Sequence, residues 1–175
     1  MEKGLVHIYY GNGKGKTTAA IGLAIRAAGN DMSVVFAQFL KSAQTGEINA
    51  FSMLPQINVL RGDESCTFTF TMDAEMRKKC LSAHNAVFGR AVELCHNNQV
   101  DLLVLDEIID AYSHDLINKE QLVDFIKNKP ESVEVVLTGR NPACELVELA
   151  DYVSEIRKIR HPFDKGVRAR IGIEK

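Results

Sequence analysis

"LVHIYYGNGKGKTTAA", residues 5–20, decides how the rest of this chain is read. Its first six residues form an apolar run with β-branched and aromatic members, which predicts a strand over 5–10. Continuing from its end, "KTTAAIGLAIRAAG" (16–29) predicts an Ala- and Ile-rich helix closed by Gly29. A glycine-rich turn between a strand and a helix is the setting of a phosphate-binding loop. The usual spacing, G-x-x-x-x-G-K-[ST], needs a glycine at position 10. This chain has Tyr10 there, so its loop begins at Gly11 and is one residue short. Gly11, Gly13 and Gly15 can take backbone angles closed to other residues. That freedom lets the N–H groups from Gly11 through Asn12, Gly13, Lys14 and Gly15 turn inward as an anion cradle. The helix adds its positive dipole end. Lys16 supplies a full charge to phosphate oxygens, the Thr17 hydroxyl can bind magnesium, and Thr18 can donate to phosphate.

A second anchor lies downstream. "VDLLVLDE" (100–107) is apolar without interruption until its last two residues, as in a parallel strand buried on both faces. Carboxylates at the C-terminal end of such a strand lie in the crevice where α/β ligands bind. Of Asp106 and Glu107, one can hold magnesium directly and the other through water. Taken alone, the pair also fits an exposed acidic strand end. "VEVVLTG" (133–139) predicts another buried strand, which delivers Arg140 to the same crevice. Arg140 can fork onto phosphate or form a salt bridge to Asp106 or Glu107.

The remaining segments complete an alternation. Strands are predicted at 33–39, 57–61 and 152–159, with a polar loop at 41–46 followed by a short helix. A long helix is predicted over 73–98, with Asp73 as N-cap and Met76, Cys80, Ala83, Val87, Ala91 and Leu94 on one face. Helices are also predicted near 108–113, over 118–128, and over 142–150 with Pro142 at the start. Strand–helix alternation with right-handed crossovers gives one α/β domain over 1–175, a mostly parallel sheet flanked by helices. The tail carries Arg157, Lys158, Arg160, Lys165, Arg168 and Arg170, read either as a solvated face or as a lid over a polyanion.

Composition excludes several classes. The net charge of −2 offers no global attraction to nucleic acid or membrane. No apolar run approaches the ~18 residues of a membrane span, and the N-terminus lacks a signal-type apolar region. A cytoplasmic protein is the simplest expectation. Cys66, Cys80, Cys95 and Cys144 form no C-x-x-C pair and are expected as free buried thiols. The histidines lack zinc-type spacing, and His7 alternates with apolar residues as a packed core or edge histidine does.

Five segments in this order, "GNGKGKTTAA", "QFLKS" followed by "GE", "VDLLVLDEI", "VVLTGRN" with "ELVELADYVSEI", and "HPFDKGVRARIGIE", resemble the P-loop type ATP:corrinoid adenosyltransferases. The resemblance runs from Leu5 to Glu174, and the tail is its most specific part. It implies a P-loop NTPase-like, RecA-like fold. It also implies transfer of the 5′-deoxyadenosyl group of ATP to the Co(I) of a corrinoid, with triphosphate as leaving group. ATP would lie in reversed sense compared with hydrolases, exposing the ribose C5′. Co(I) is then the nucleophile, and the protein supplies positioning and charge. Lys16, with magnesium on Thr17 and Glu107, would neutralise the departing triphosphate. Similar proteins carry a Phe-x-Trp pair that packs on the lower corrin face and displaces the lower cobalt ligand. Phe68 matches its first member; Phe70 stands in place of the Trp, and the chain has no tryptophan. Many relatives carry a helix before the first strand, whereas here the strand begins within five residues of Met1. A homodimer and an electron donor that reduces Co(II) to Co(I) are further implications of the resemblance. The loop and the acids alone also fit a phosphotransferase or regulatory ATPase, and a non-enzymatic ATP-dependent corrinoid carrier.

Overall fold

The computed structural model describes residues 3–41, 45–62 and 72–174. Six parallel strands form one sheet: β1 (Val6–Tyr10), β2 (Val34–Gln38), β3 (Ile57–Arg61), β4 (Leu102–Asp106), β5 (Glu134–Gly139) and β6 (Tyr152–Glu155). Their spatial order is β3-β2-β4-β5-β1-β6. Parallel pairing requires a crossover after each strand, which the intervening helices supply. These are α1 (Lys16–Ala28), α2 (Gly46–Phe51), α3 (Ala74–His96), α4 (Ile108–Ser113), α5 (Lys119–Asn128) and α6 (Cys144–Glu148).

The centre of the sheet is dry on both faces. Along β4, Leu103 and Leu105 join the cluster beneath α3, α4 and α5, while Leu102 and Val104 join the one beneath α1 and α2. A strand with two buried faces has no polar side to display, which explains its unbroken apolar run. Each fully buried Leu contributes on the order of 1.5–3 kcal/mol. The small residues of α1 have the same origin. Ala20, Ala24 and Ala27 are buried against the sheet, so the helix lies close to β1, β4 and β5.

Local structure departs from expectation in several places. Gly29 follows α1 with φ −68, a right-handed rather than left-handed cap. Strand β4 stops at Asp106, because Glu107 is left-handed with φ 64 and opens α4. Helix α6 starts after Ala143, so Pro142 precedes its cap instead of occupying its first turn. Strand β6 ends at Glu155, shorter than 152–159. Asp73 does cap α3, accepting from the Met76 N–H at 2.7 Å. Of the expected α3 face, Met76 is exposed, and His84 is buried instead. Cys80 and Cys95 are buried as expected, whereas Cys144 is exposed. Cys66, Phe68 and Phe70 lie outside the described residues.

Candidate nucleotide site

The order of strands places β5 between β1, which delivers the loop, and β4, which delivers the acids. The C-terminal ends of β1, β2, β4 and β5 therefore converge on one crevice, the place where parallel α/β sheets bind ligands.

The loop uses its three glycines for different reasons. Gly11 has φ 119, and a Cβ there would lie 2.4 Å from the Ile156 carbonyl oxygen. Gly15 has φ 126 with open space around it, so its backbone angle alone demands glycine. Gly13 does not need a positive φ; a Cβ there would sit 2.7 Å from the same Ile156 oxygen. Two of the expected cradle donors are committed elsewhere. The Gly11 N–H donates to the Gly139 and Arg140 carbonyls at 3.2 Å, and the Gly13 N–H donates to Ile156 O at 2.8 Å. These bonds tie the loop to the neighbouring strand ends. The anion-facing donors are thereby shifted toward the start of α1, whose first-turn N–H groups have no intrahelical acceptor. No side chain caps that end.

Lys16 curls back over the loop, its Nζ donating to Gly13 O at 3.0 Å. Burial holds its ammonium below the usual lysine range; Glu107 pulls the other way, and nearby Arg140 pushes in the same direction as burial. Arg140 is exposed and makes no ion pair with Asp106 or Glu107 among the described residues. Its backbone N–H is held by Asp110 Oδ2 at 2.8 Å.

Asp106 is fully buried and is the hub of the crevice. Its Oδ1 accepts from Thr17 Oγ1 at 2.9 Å and from Thr138 Oγ1 at 2.7 Å. Its Oδ2 pairs with Lys41 Nζ at 2.6 Å. Gln38, also buried, approaches Oδ2 through Nε2 at 3.5 Å and leaves its own Oε1 without a partner. Thr138 further accepts from the Glu107 N–H at 2.9 Å, holding the left-handed turn. The consequence of that turn is that the two acids diverge. Asp106 meets Thr17, while Glu107 meets Lys16 and Asp110. Burial pushes the Glu107 carboxyl well above its ordinary range, reinforced by the charges of Asp106 and Asp110.

Lys41, Thr138 and Gln38 lie within segments that carry the resemblance, but reading the sequence gave them no role in the site. The signal available was a polar residue at or next to the C-terminal end of an otherwise apolar strand, which Gln38 and Thr138 show and Lys41 does not. Lys41 lies three residues beyond the end of β2, where Leu40 takes a left-handed φ of 56. Such a conformation costs a non-glycine residue about 1–2 kcal/mol. It is pinned by the Leu40 N–H donating to His84 Nε2 at 3.3 Å, and by Arg61 Nη2 on the Lys41 carbonyl at 3.3 Å.

A cavity of about 520 Å³ opens over this crevice. One end is lined by Lys14, Gly15, Lys16, Thr17, Thr18, Lys41 and Glu107. The other is lined by the tail, through His161, Pro162, Phe163, Val167, Arg168 and Ile173. The tail is thus a wall of the cavity, but of its six basic residues only Arg168 lines it, and Arg157, Lys158, Arg160, Lys165 and Arg170 are exposed.

A parallel sheet, a Lys–Thr glycine loop opening a helix, and a buried acid on a strand separated from the loop strand by one other define a P-loop nucleotide-binding protein. A KaiC-like protein of Pyrococcus horikoshii shares the fold, with TM-score 0.51 over 89% of this chain and 73% of that chain at 16% identity. The chain belongs to the ATP:corrinoid adenosyltransferase family BtuR/CobO/CobP, whose model matches residues 2–174. It is 35% identical to the corrinoid adenosyltransferase of Escherichia coli K12, over 99% of this chain and 86% of that one. It is 34% identical, with the same coverage, to the corrinoid adenosyltransferase CobA of Salmonella typhimurium.

Proposed function

We propose that the chain transfers the 5′-deoxyadenosyl group of ATP to the Co(I) of a corrinoid. One observation carries this reading: the family match spans the loop, the acid strand and the tail, and these three segments together line one cavity. ATP enters with its triphosphate against Lys14, Lys16 and the open end of α1, and its ribose toward the mouth. Co(I) attacks C5′, a Co–C bond forms, and the C5′–O bond breaks with its electron pair leaving on triphosphate. No protein nucleophile or water-activating base is needed. The protein's task is to hold the leaving group and to balance its charge while C5′ stays exposed.

Magnesium suits the donors present. Thr17 Oγ1 and Asp106 are adjacent hard oxygens, and the buried Gln38 Oε1 is an acceptor without a donor. Among the described residues no group of three or more His, Cys, Asp or Glu forms a cage. A cation that takes one or two carboxylates plus phosphate needs none. Magnesium would be held by Thr17 and Asp106, with Glu107 behind, and would supply charge neutralisation on the triphosphate. Phe68 and Phe70 are proposed to meet the corrin, and a homodimer, a cytoplasmic location and a separate electron donor belong to the same reading. Among the described residues no helix is long and apolar enough to cross a membrane.

The test is product analysis after incubation with ATP, magnesium and chemically reduced cobalamin. Triphosphate with a light-sensitive alkylated corrinoid is the expected outcome. ADP and phosphate without alkylation would place the chain among ATPases, and binding without turnover would make it a carrier.

A further inference from the structure

Lys41 occupies the position that a metal ion would need. Its Nζ lies 2.6 Å from Asp106 Oδ2 and 3.3 Å from Thr17 Oγ1, bridging the two side chains whose oxygens would face magnesium. The other oxygen of Asp106 is already taken by two hydroxyls, from Thr17 and Thr138. Oδ2 receives no hydroxyl; the Lys41 ammonium holds it at 2.6 Å, and Gln38 Nε2 approaches only to 3.5 Å.

The placement is built rather than incidental. The Lys41 backbone is aimed by the left-handed Leu40, which His84 fixes, and its carbonyl is held by Arg61. His84 is fixed in turn by donating Nδ1–H to Leu116 O at 2.8 Å. The side chain is still 24% exposed and borders the cavity, so it has somewhere to go.

Two cations cannot share this corner. A divalent ion at Asp106 Oδ2 would face an ammonium at contact distance with little water to screen it. Free metal must therefore expel Lys41 without offering it a new partner. A metal–triphosphate brings phosphate oxygens into the same cavity, and the displaced ammonium can move onto them. Charge balances on each side of the exchange: Asp106 trades an ammonium for the metal, and Lys41 trades a carboxylate for phosphate.

We propose that Lys41 is a resident counter-cation that closes the metal site to free divalent ions and yields it only to the metal–triphosphate, on which it then acts as a positioning residue. The inference rests on the nucleotide-site reading given above, but not on the identity of the alkyl acceptor. Its test therefore uses no corrinoid, so a failure here is separable from a failure of adenosyl transfer.

The experiment compares the full chain with Lys41→Met and Lys41→Arg, using Mn²⁺ as the probe in electron paramagnetic resonance titrations and in thermal unfolding. Wild type should bind free Mn²⁺ weakly and show no Tm response to it. Lys41→Met should unfold at lower temperature in chelator, because Asp106 loses its partner. Mn²⁺ alone should restore that Tm and bind at least tenfold tighter than to wild type. Lys41→Arg should behave as wild type. Should Lys41→Met not fold, Lys41→Gln serves in its place. Equal Mn²⁺ affinity in wild type and the neutral variant, or a Tm loss that Mn²⁺ does not restore, overturns the proposal.

Discussion

The two walls of the cavity are built by opposite strategies. The strand-end wall is anchored in the core: Asp106, Thr138 and Gln38 are all buried and bonded to one another, and Leu105 immediately before them is fully buried. The tail wall has almost no core. Ile159 and Ile171 are more than 90% exposed, Phe163 is 71% exposed, and no residue of the 3₁₀ turn Pro162–Lys165 is buried. Its described ion pairs are local, Lys158 with Asp164 and Arg170 with Glu174. It is tied to the body at its root, where Gly13 N–H meets Ile156 O and Lys158 N–H meets Asn12 Oδ1 at 2.9 Å. The end that grips charge is therefore pre-built, and the end that must admit large substrates rests on few contacts. Free energies of local opening follow that contrast, being lowest where apolar contacts are few.

The sharpest way to break the comparison is at Lys16. Lys16→Ala should weaken ATP binding by roughly 2–5 kcal/mol, the scale for removing one partner of a buried charge pair. Calorimetric titration giving wild-type affinity would remove the loop from the site. Next comes stability. Leu105→Ala in the strand-end wall should cost about 2–5 kcal/mol of unfolding free energy. Ile171→Ala in the tail should change it by less than about 0.5 kcal/mol. Urea melts of both variants test this, and comparable losses would mean that the tail is packed as tightly as the core.

A smaller effect should appear with pH. Burial holds the His84 ring below its ordinary pKa, against the pull of the Leu116 carbonyl. The neutral ring satisfies both its contacts, donating to Leu116 O and accepting from Leu40 N–H. Above the unfolded value of ~6.5 neither state carries the proton, and this group's contribution is fully present. As pH falls below it, the unfolded chain binds a proton that the folded chain does not. Stability should then fall by up to ~1.4 kcal/mol per pH unit until the folded pKa is reached. Urea melts of wild type and His84→Gln from pH 7.5 to 5 isolate this slope as their difference, because the raised Glu107 carboxyl contributes a slope of opposite sign over the same range. The smallest effect is expected at the tail's charges. Arg168→Ala should lower ATP affinity by less than about 1 kcal/mol, and more at low ionic strength than at high. A loss as large as that of Lys16→Ala would make the tail an equal partner in gripping phosphate.

The phosphate loop, the parallel sheet and the acid-bearing strand were legible in the sequence because each has a local physical cause. A loop that turns tightly against its neighbours needs glycine, and a strand buried on both faces must be apolar throughout. The separate roles of Asp106 and Glu107 were not legible. They depend on the left-handed turn at Glu107, which Thr138 holds from a strand 31 residues away. Gly13 was read, with Gly11 and Gly15, as taking backbone angles closed to other residues; its reason is the carbonyl of Ile156, which no local pattern reveals.

Sequence by itself therefore determined the chemistry available: a glycine loop with Lys16 and Thr17, two strand-end acids, and a basic tail. Tertiary structure decided which of these groups meet. Parallel pairing of β2 with β4 sets Gln38 opposite Asp106, and the left-handed Leu40 beyond it brings Lys41 onto the same carboxylate. Partners joined across strands depend on register and backbone handedness, and neither is written in the neighbours of a single residue.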